Sequence, residues 1–170
     1  MADVFRSHLF RKEGNVWDIA IYVSKEIATP YIDKDSRRII CTVYNFSYHA
    51  ALMPQGNGDF FININGEIRK KLNLKVDDEV DVTFEKDTST YGTPLPDELK
   101  TAWDLDEDGH RVFHSLTMGK QRTLIHMVGK FKSADKRIEK SLVILEYLKS
   151  VNGNLDYKEL NIAFKNANKK

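Results

Sequence analysis

The periodicity of the apolar residues changes once along this chain, near residue 90. Before that point apolar side chains recur at every second position; after it they recur at intervals of about 3.6. Alternation with period two builds strands and the longer period builds helices, so the chain is expected to fold first as sheet and then as helix. The fold class expected is therefore α+β. A small N-terminal β-barrel is expected over residues 1–88 and a C-terminal helical segment over 94–168.

In the first part, Phe5 and Leu9 alternate with polar residues, Lys12-Glu13-Gly14-Asn15 reads as a turn, and Trp17, Ile19 and Ile21 resume the alternation. Ser24 reads as the cap of a short helix that Thr29-Pro30 ends. Arg38–Phe46 reads as one strand buried on both faces, because both of its alternating sets are apolar or β-branched. His49–Met53 reads as the next strand, Pro54-Gln55-Gly56-Asn57-Gly58 as a turn, and Phe60, Ile62 and Ile64 as another strand. Asn65 is placed to cap a second short helix ahead of a strand at Val80–Phe84. Ile21-Tyr22-Val23-Ser24-Lys25-Glu26-Ile27 is echoed by Ile62-Asn63-Ile64-Asn65-Gly66-Glu67-Ile68, 41 positions later. Two copies of one strand–helix–strand unit would let a single chain close its own barrel by pseudo-symmetry.

In the second part, Pro94-Leu95-Pro96-Asp97 opens a helix with Asp97 as its cap, and Leu99, Ala102 and Trp103 share a face. Further helices are expected over Asp108–Leu116 and Lys120–Lys130. A long one capped by Ser133 would turn Ile138, Leu142, Leu145 and Leu148 inward and Lys136, Arg137 and Lys140 outward. Asn152-Gly153-Asn154 stops that helix, Asp156–Lys165 forms the last, and Asn166–Lys170 is expected to fray.

Hydrophobic residues at 41% and charged residues at 30% describe a globular chain rather than a disordered one. No apolar run approaches the ~18 residues of a membrane span. The start shows no basic region followed by an apolar one, and the lone Cys41 suits a reducing compartment, so a cytoplasmic location is expected. The net charge of +1 is uneven. Residues 77–108 hold twelve acidic and two basic side chains, whereas 119–170 hold twelve basic and five acidic. Such blocks either attract each other within the fold or face different partners.

Two resemblances cover nearly the whole chain. Leu52 to Ile64, Glu67 to Leu74 and Asp78 to Val82 resemble a bacterial domain family of unknown function, a small barrel of two strand–helix–strand halves. Within it, Glu67-Ile68-Arg69-Lys70-Lys71-Leu72 and the following turn and strand are similar to the AbrB/MazE-like signature, which implies a double-split barrel. Asp77-Asp78 stands where that signature usually has Gly-Asp. Leu95-Pro96-Asp97-Glu98-Leu99, Phe113-His114-Ser115-Leu116 and Lys136-Arg137-Ile138-Glu139-Lys140 resemble the YdeI or OmpD-associated family, linked by its description to bacteriocin protection. Ser133-Ala134 replaces the Thr-Arg often found there. Neither resemblance brings a catalytic residue set.

Four constellations invite chemistry, and each has a plainer reading. Asp104, Asp106 and Asp108 followed by Gly109 match the first half of a calcium loop, but Ser115 replaces its bidentate glutamate; the plainer reading is a loop between helices capped by Asp108. His110 and His114 share a helix face, but zinc wants a third ligand that nothing here supplies. Cys41, mid-strand, reads as a small hydrophobe. Arg69, Lys70 and Lys71, and Lys132, Lys136 and Arg137 with Lys120, Arg122, Lys130 and Lys140, are candidate phosphate contacts. Solvated helix faces look the same, and the chain lacks a strong positive excess. No catalytic, cofactor-binding or metal-ligating set is therefore expected. The function expected is that of a non-enzymatic binding or interaction protein with a protein or small-ligand partner, linked through the resemblance to envelope or antimicrobial-peptide stress. Its ligand is expected in a groove between barrel and helices. The alternative is a nucleic-acid-binding regulator.

Overall fold

The computed structural model describes residues 4–13, 19–34 and 36–169. The expected Gly14-Asn15 turn and the alternation at Trp17 lie outside them. The chain divides into two compact units, Met1–Thr88 and Ser89–Lys170. The first is a nearly closed antiparallel barrel and the second is helical, so the molecule is α+β.

The barrel strands are β1 (Phe5–Arg11), β2 (Ile19–Val23), β3 (Arg38–Val43), β4 (Phe46–Ala51), β5 (Met53–Pro54), β6 (Phe60–Asn63) and β7 (Glu79–Lys86). Helix α1 (Lys25–Ala28), extended by a 3-10 turn at Thr29–Tyr31, follows β2, and α2 (Gly66–Lys71) follows β6. The strand order is β4-β3-β7-β1-β2-β6-β5. The two edge strands, β4 and β5, are consecutive pieces of chain hinged at Leu52, so one bent segment brings the sheet's ends together. β1 bends in the same way at Leu9: Phe5–His8 pairs with β7 and Leu9–Arg11 with β2.

The echo in the sequence is a structural duplication. β2, α1 and β3 begin 41 positions before β6, α2 and β7. The register runs Ile21 against Ile62 and Thr42 against Thr83, each residue opposite its own counterpart, which places a pseudo-two-fold axis through both pairs. The bends correspond as well. Leu9 N–H donates to the Asp78 carbonyl and Leu52 N–H to the Arg37 carbonyl, both at 2.9 Å, and both leucines are fully buried. β1 therefore maps onto β4–β5 with an offset of 43. Ile21, Ile39, Cys41, Ile62, Val82 and Phe84 fill the interior.

Several local expectations are corrected. Arg38–Phe46 is not one strand: Tyr44 (φ 55°) and Asn45 form a two-residue turn, and Phe46 opens β4 opposite Val43. β3 is not buried on both faces either. Ile39, Cys41 and Val43 are buried, while Arg38, Ile40 and Thr42 are half-buried on an outer face where Thr42 and Ser47 share a hydroxyl hydrogen bond of 2.7 Å. Ser24 makes no side-chain cap; Asp59 caps α1 instead, accepting from Lys25 N–H at 3.0 Å. Thr29-Pro30 does not end the turn but continues it as 3-10 structure, since proline fits a first turn. Asn65 does cap α2, accepting from Ile68 N–H at 2.8 Å.

Asp77, at the position where the resembling signature carries glycine, has φ 70°. A side chain there costs roughly 1–2 kcal/mol of steric strain, and glycine returns about 0.5–1 kcal/mol of that in chain entropy. Asp77→Gly is expected to stabilise the barrel by about 0.5–1 kcal/mol, read as a higher denaturant midpoint at unchanged slope.

The helical unit comprises α3 (Asp97–Asp104), α4 (Glu107–His114), α5 (Met118–Gly129), α6 (Ala134–Ser150) and α7 (Tyr157–Ala167). α6 packs against α3, α4, α5 and α7, and Leu99, Trp103, Phe113, Ile125, Ile144 and Leu148 form its core. Here too the caps shift. α3 starts at Asp97 itself behind Pro96, so Asp97 is a first-turn residue and not the cap. Asp106, not Asp108, caps α4. Thr117, Ser133 and Asp156 cap α5, α6 and α7. The face of α6 is also rotated from the one expected. Ile138 and Leu142 are exposed, and Lys140 and Ser141 are buried. Lys140 lays its stem inward with Nζ 4.8 Å above the Phe164 ring and 3.0 Å from the Glu139 carboxylate. α7 continues to Ala167, so the tail expected from Asn166 begins later. Among the described residues no helix is long and apolar enough to cross a membrane.

Candidate functional site

The bend in β1 and the bend in β4–β5 each leave a place where the ladder splits, and the two splits differ. At the first, the His8 ring stacks on Tyr22 at 5.4 Å. The Tyr22 hydroxyl donates to Asp59 at 2.9 Å, and the Ser7 hydroxyl donates to the Tyr22 carbonyl. A stacked pair of rings covers that seam, with His8 on its exposed side. At the second, the positions equivalent to Ser7, His8 and Tyr22 are Ala50, Ala51 and Asn63. Two alanines and an asparagine cannot fill the same space, and a cavity of about 310 Å³ opens there.

Arg38, His49, Asn63 and Asn65 are polar residues of its lining, and Tyr48, Ala50, Ala51, Met53 and Ile68 complete it. Three of the polar groups are oriented by fixed partners. His49 Nδ1 is 2.8 Å from the Asp87 carboxylate, whose side chain is 1% exposed. An ionised carboxylate accepts only, so Nδ1 carries the proton and Nε2 is the far end of the ring. The Asn63 Oδ1 accepts from Lys12 Nζ at 2.9 Å, and the Asn65 Oδ1 accepts from Ile68 N–H. Tyr48 lies opposite Cys41 across the β3–β4 ladder. Its buried hydroxyl has no hydrogen-bond partner, and the Cys41 thiol is its polar neighbour. Burial pushes the Tyr48 phenol well above its usual range and the Cys41 thiol up to about 12, which leaves Cys41 an un-ionised core residue.

Residues 5–84 match the family model described as a domain of unknown function, DUF1905. The match begins at the first residue of β1 and ends two residues short of the end of β7. Both halves of the duplication and both seams therefore lie within the DUF1905 match. No curated protein matches the chain.

The residues singled out from the sequence lie elsewhere. On α2, Lys70 and Lys71 are exposed, Lys71 Nζ lies 4.3 Å above the Phe46 ring, and Arg69 keeps a buried Nε without a partner. In the helical unit Lys132 is exposed and Lys136 pairs with Glu139 at 2.9 Å. Arg137 is held by Glu98 at 2.6 Å and by the carbonyls of Phe131 and Lys132, both at 2.9 Å. This guanidinium ties α6 to α3 and to the preceding loop. Its carboxylate partner, Glu98, is held below the usual range by that bond.

The three aspartates of the calcium-like loop have separate duties. Asp104 pairs with Lys100, Asp106 caps α4 and pairs with Lys149, and Asp108 pairs with Arg111. His110 and His114 do share a face, with rings stacked at 4.1 Å. Both nitrogens of His114 are used: Nδ1 donates to the His110 carbonyl, and Nε2 meets the Tyr91 hydroxyl, each at 2.8 Å. Among the described residues no group of three or more His, Cys, Asp or Glu side chains is placed to hold a metal ion. The acidic and basic blocks meet within the helical unit through Glu98–Arg137 and Asp106–Lys149.

Sequence patterning does not single out Arg38, His49, Asn63 and Asn65 as a site. The signal lies in the echo. Its two copies differ at Tyr22 and Asn63, where a bulky aromatic in one is a short amide in the other.

Proposed function

We propose that this is a non-enzymatic binding protein whose barrel holds a small ligand at the second seam. One observation carries this reading: a stacked His8–Tyr22 pair covers the seam in one copy of the repeat, and a cavity opens beside Ala51 and Asn63 in the other. A cleft with apolar walls and a few oriented polar groups is the usual form of a small-molecule site. The resemblance of the helical unit to the YdeI or OmpD-associated family extends the reading to envelope or antimicrobial-peptide stress in a cytoplasmic setting. Support for the nucleic-acid alternative is thinner, because Arg137 and Lys136 are engaged by carboxylates of their own unit.

The test is to close the second seam with the side chains of the first. A small-fragment library screened by amide NMR should shift Ala51, Asn63 and Asn65 in the wild type. Ala51→His together with Asn63→Tyr should abolish those shifts while the remaining barrel resonances stay in place. A wild type in which no fragment moves these amides refutes the reading.

A further inference from the structure

We infer, on the reading of the second seam as a binding site, that its ligand is an uncharged amide, a carboxamide or lactam whose N–H and C=O stand side by side. The fixed tautomer of His49 is the deciding feature. Its Nδ1 is turned to the Asp87 carboxylate, whose side chain is 1% exposed, while the His49 side chain keeps 23% exposure. The protonated end of the ring is thus turned inward, and the end left to the cavity is Nε2. In a neutral imidazole with its proton on Nδ1, that nitrogen only accepts. A ligand seated against it has to bring an N–H or O–H. A carboxylate brings only lone pairs and would set one against another.

Asn63 and Asn65 supply the other half of the pattern. Asn63 Oδ1 accepts from Lys12 Nζ, and Asn65 Oδ1 accepts from Ile68 N–H. Neither bond survives an amide flip, because an NH2 group cannot accept from a donor, so both orientations are settled. Each amide still offers its NH2 as a donor and a second lone pair on its oxygen. An asparagine side chain is therefore donor and acceptor at once. Its planar complement is another N–H and acceptor pair, the same chemistry by which asparagine reads the edge of adenine. An amide ligand supplies both kinds of partner, a carbonyl for an asparagine NH2 and an N–H for His49 Nε2. An alcohol has one hydroxyl and cannot return two bonds in a plane. Ala51, Met53 and Ile68 in the same lining suit a short apolar body behind the amide.

The full chain would be titrated at about pH 8, above the ordinary range of an imidazole. The probes are benzamide, N,N-dimethylbenzamide, benzyl alcohol and benzoate, and the backbone amides of residues 51, 63 and 65 are followed by NMR. Benzamide should bind about ten-fold more tightly than each of the other three, the factor for one hydrogen bond lost with its partner left unsatisfied. In His49→Phe, which keeps a ring and removes the acceptor, benzamide should fall to the level of dimethylbenzamide. The wild-type series decides the ligand class by itself if that variant does not fold. Dimethylbenzamide binding as tightly as benzamide overturns the demand for a donor. Benzyl alcohol binding as tightly overturns the amide in favour of a hydroxyl, and benzoate binding most tightly overturns it in favour of an acid. A folded His49→Phe that holds benzamide as the wild type does also overturns the inference. If none of the four binds while library fragments still shift these amides, the ligand class is wrong and the site stands. Silence from the library as well removes the site itself.

Discussion

Replacing Phe84 by alanine is expected to destabilise the barrel by about 3–5 kcal/mol, the range for truncating a buried aromatic. Phe84 is 1% exposed on the inner face of β7. It takes the edges of Phe5 at 4.8 Å and Tyr31 at 5.5 Å, so its loss strands two further rings. Its counterpart in the first repeat is Val43, a much smaller side chain, so the barrel interior is asymmetric and the ring has no twin to move into the space. A loss of this size is a large fraction of the roughly 5–15 kcal/mol that holds a typical domain folded. Urea denaturation followed by far-UV circular dichroism would measure it. A change below about 1 kcal/mol would mean that the ring does not fill the barrel as described.

Asp106 should give the next largest effect, with a pH signature. Its Oδ1 accepts from Gly109 N–H at 2.9 Å as the α4 cap, and its Oδ2 meets Lys149 Nζ at 2.7 Å. A Cβ on residue 109 would stand 2.6 Å from that carboxylate, which is why glycine sits inside α4. Asp106→Ala removes both bonds and should cost about 2 kcal/mol, the upper end for a lost cap. Lys149, and after it the Gly109 N–H, hold the Asp106 carboxyl below its usual range. A group whose folded value is depressed contributes stability above its unfolded value, about 3.9 for aspartate, and loses it as pH falls through the folded value. Asp106→Asn keeps the cap and cannot titrate. Its deficit relative to the wild type should be present at pH 7 and should shrink as the medium is acidified below about pH 4. A deficit constant down to about pH 2 would show that the carboxylate charge adds nothing.

How far local sequence reaches can be judged from particular residues. The break between strands and helices is legible because period two and period 3.6 place apolar side chains on one side of different backbones. The duplication is legible because Ile21–Ile27 and Ile62–Ile68 repeat both pattern and spacing, and the caps at Asn65 and Ser133 act within three residues of themselves. The face that α6 buries is a different matter. Ile138 and Leu142 satisfy the helical period as well as Ile144 and Leu148 do. Which stripe turns inward is settled by four neighbouring helices and by a lysine whose stem can be buried while its charge meets Glu139. The break at Tyr44-Asn45 is of the same kind, since nothing in that β-prone run forbids one long strand. Pairing with β4 and with β7 makes the turn worth its strained Tyr44.

The amino-acid sequence on its own determined that this chain makes a duplicated strand–helix–strand barrel followed by helices, because periodicity and capping are properties of neighbours along the chain. Only the tertiary structure decided where a cleft opens. The cleft exists because Ala51 and Asn63, twelve residues apart, face each other where His8 and Tyr22 stack in the sister seam. A void is a property of side chains brought together by long-range register, and a shift of one residue in either strand would turn them to opposite faces.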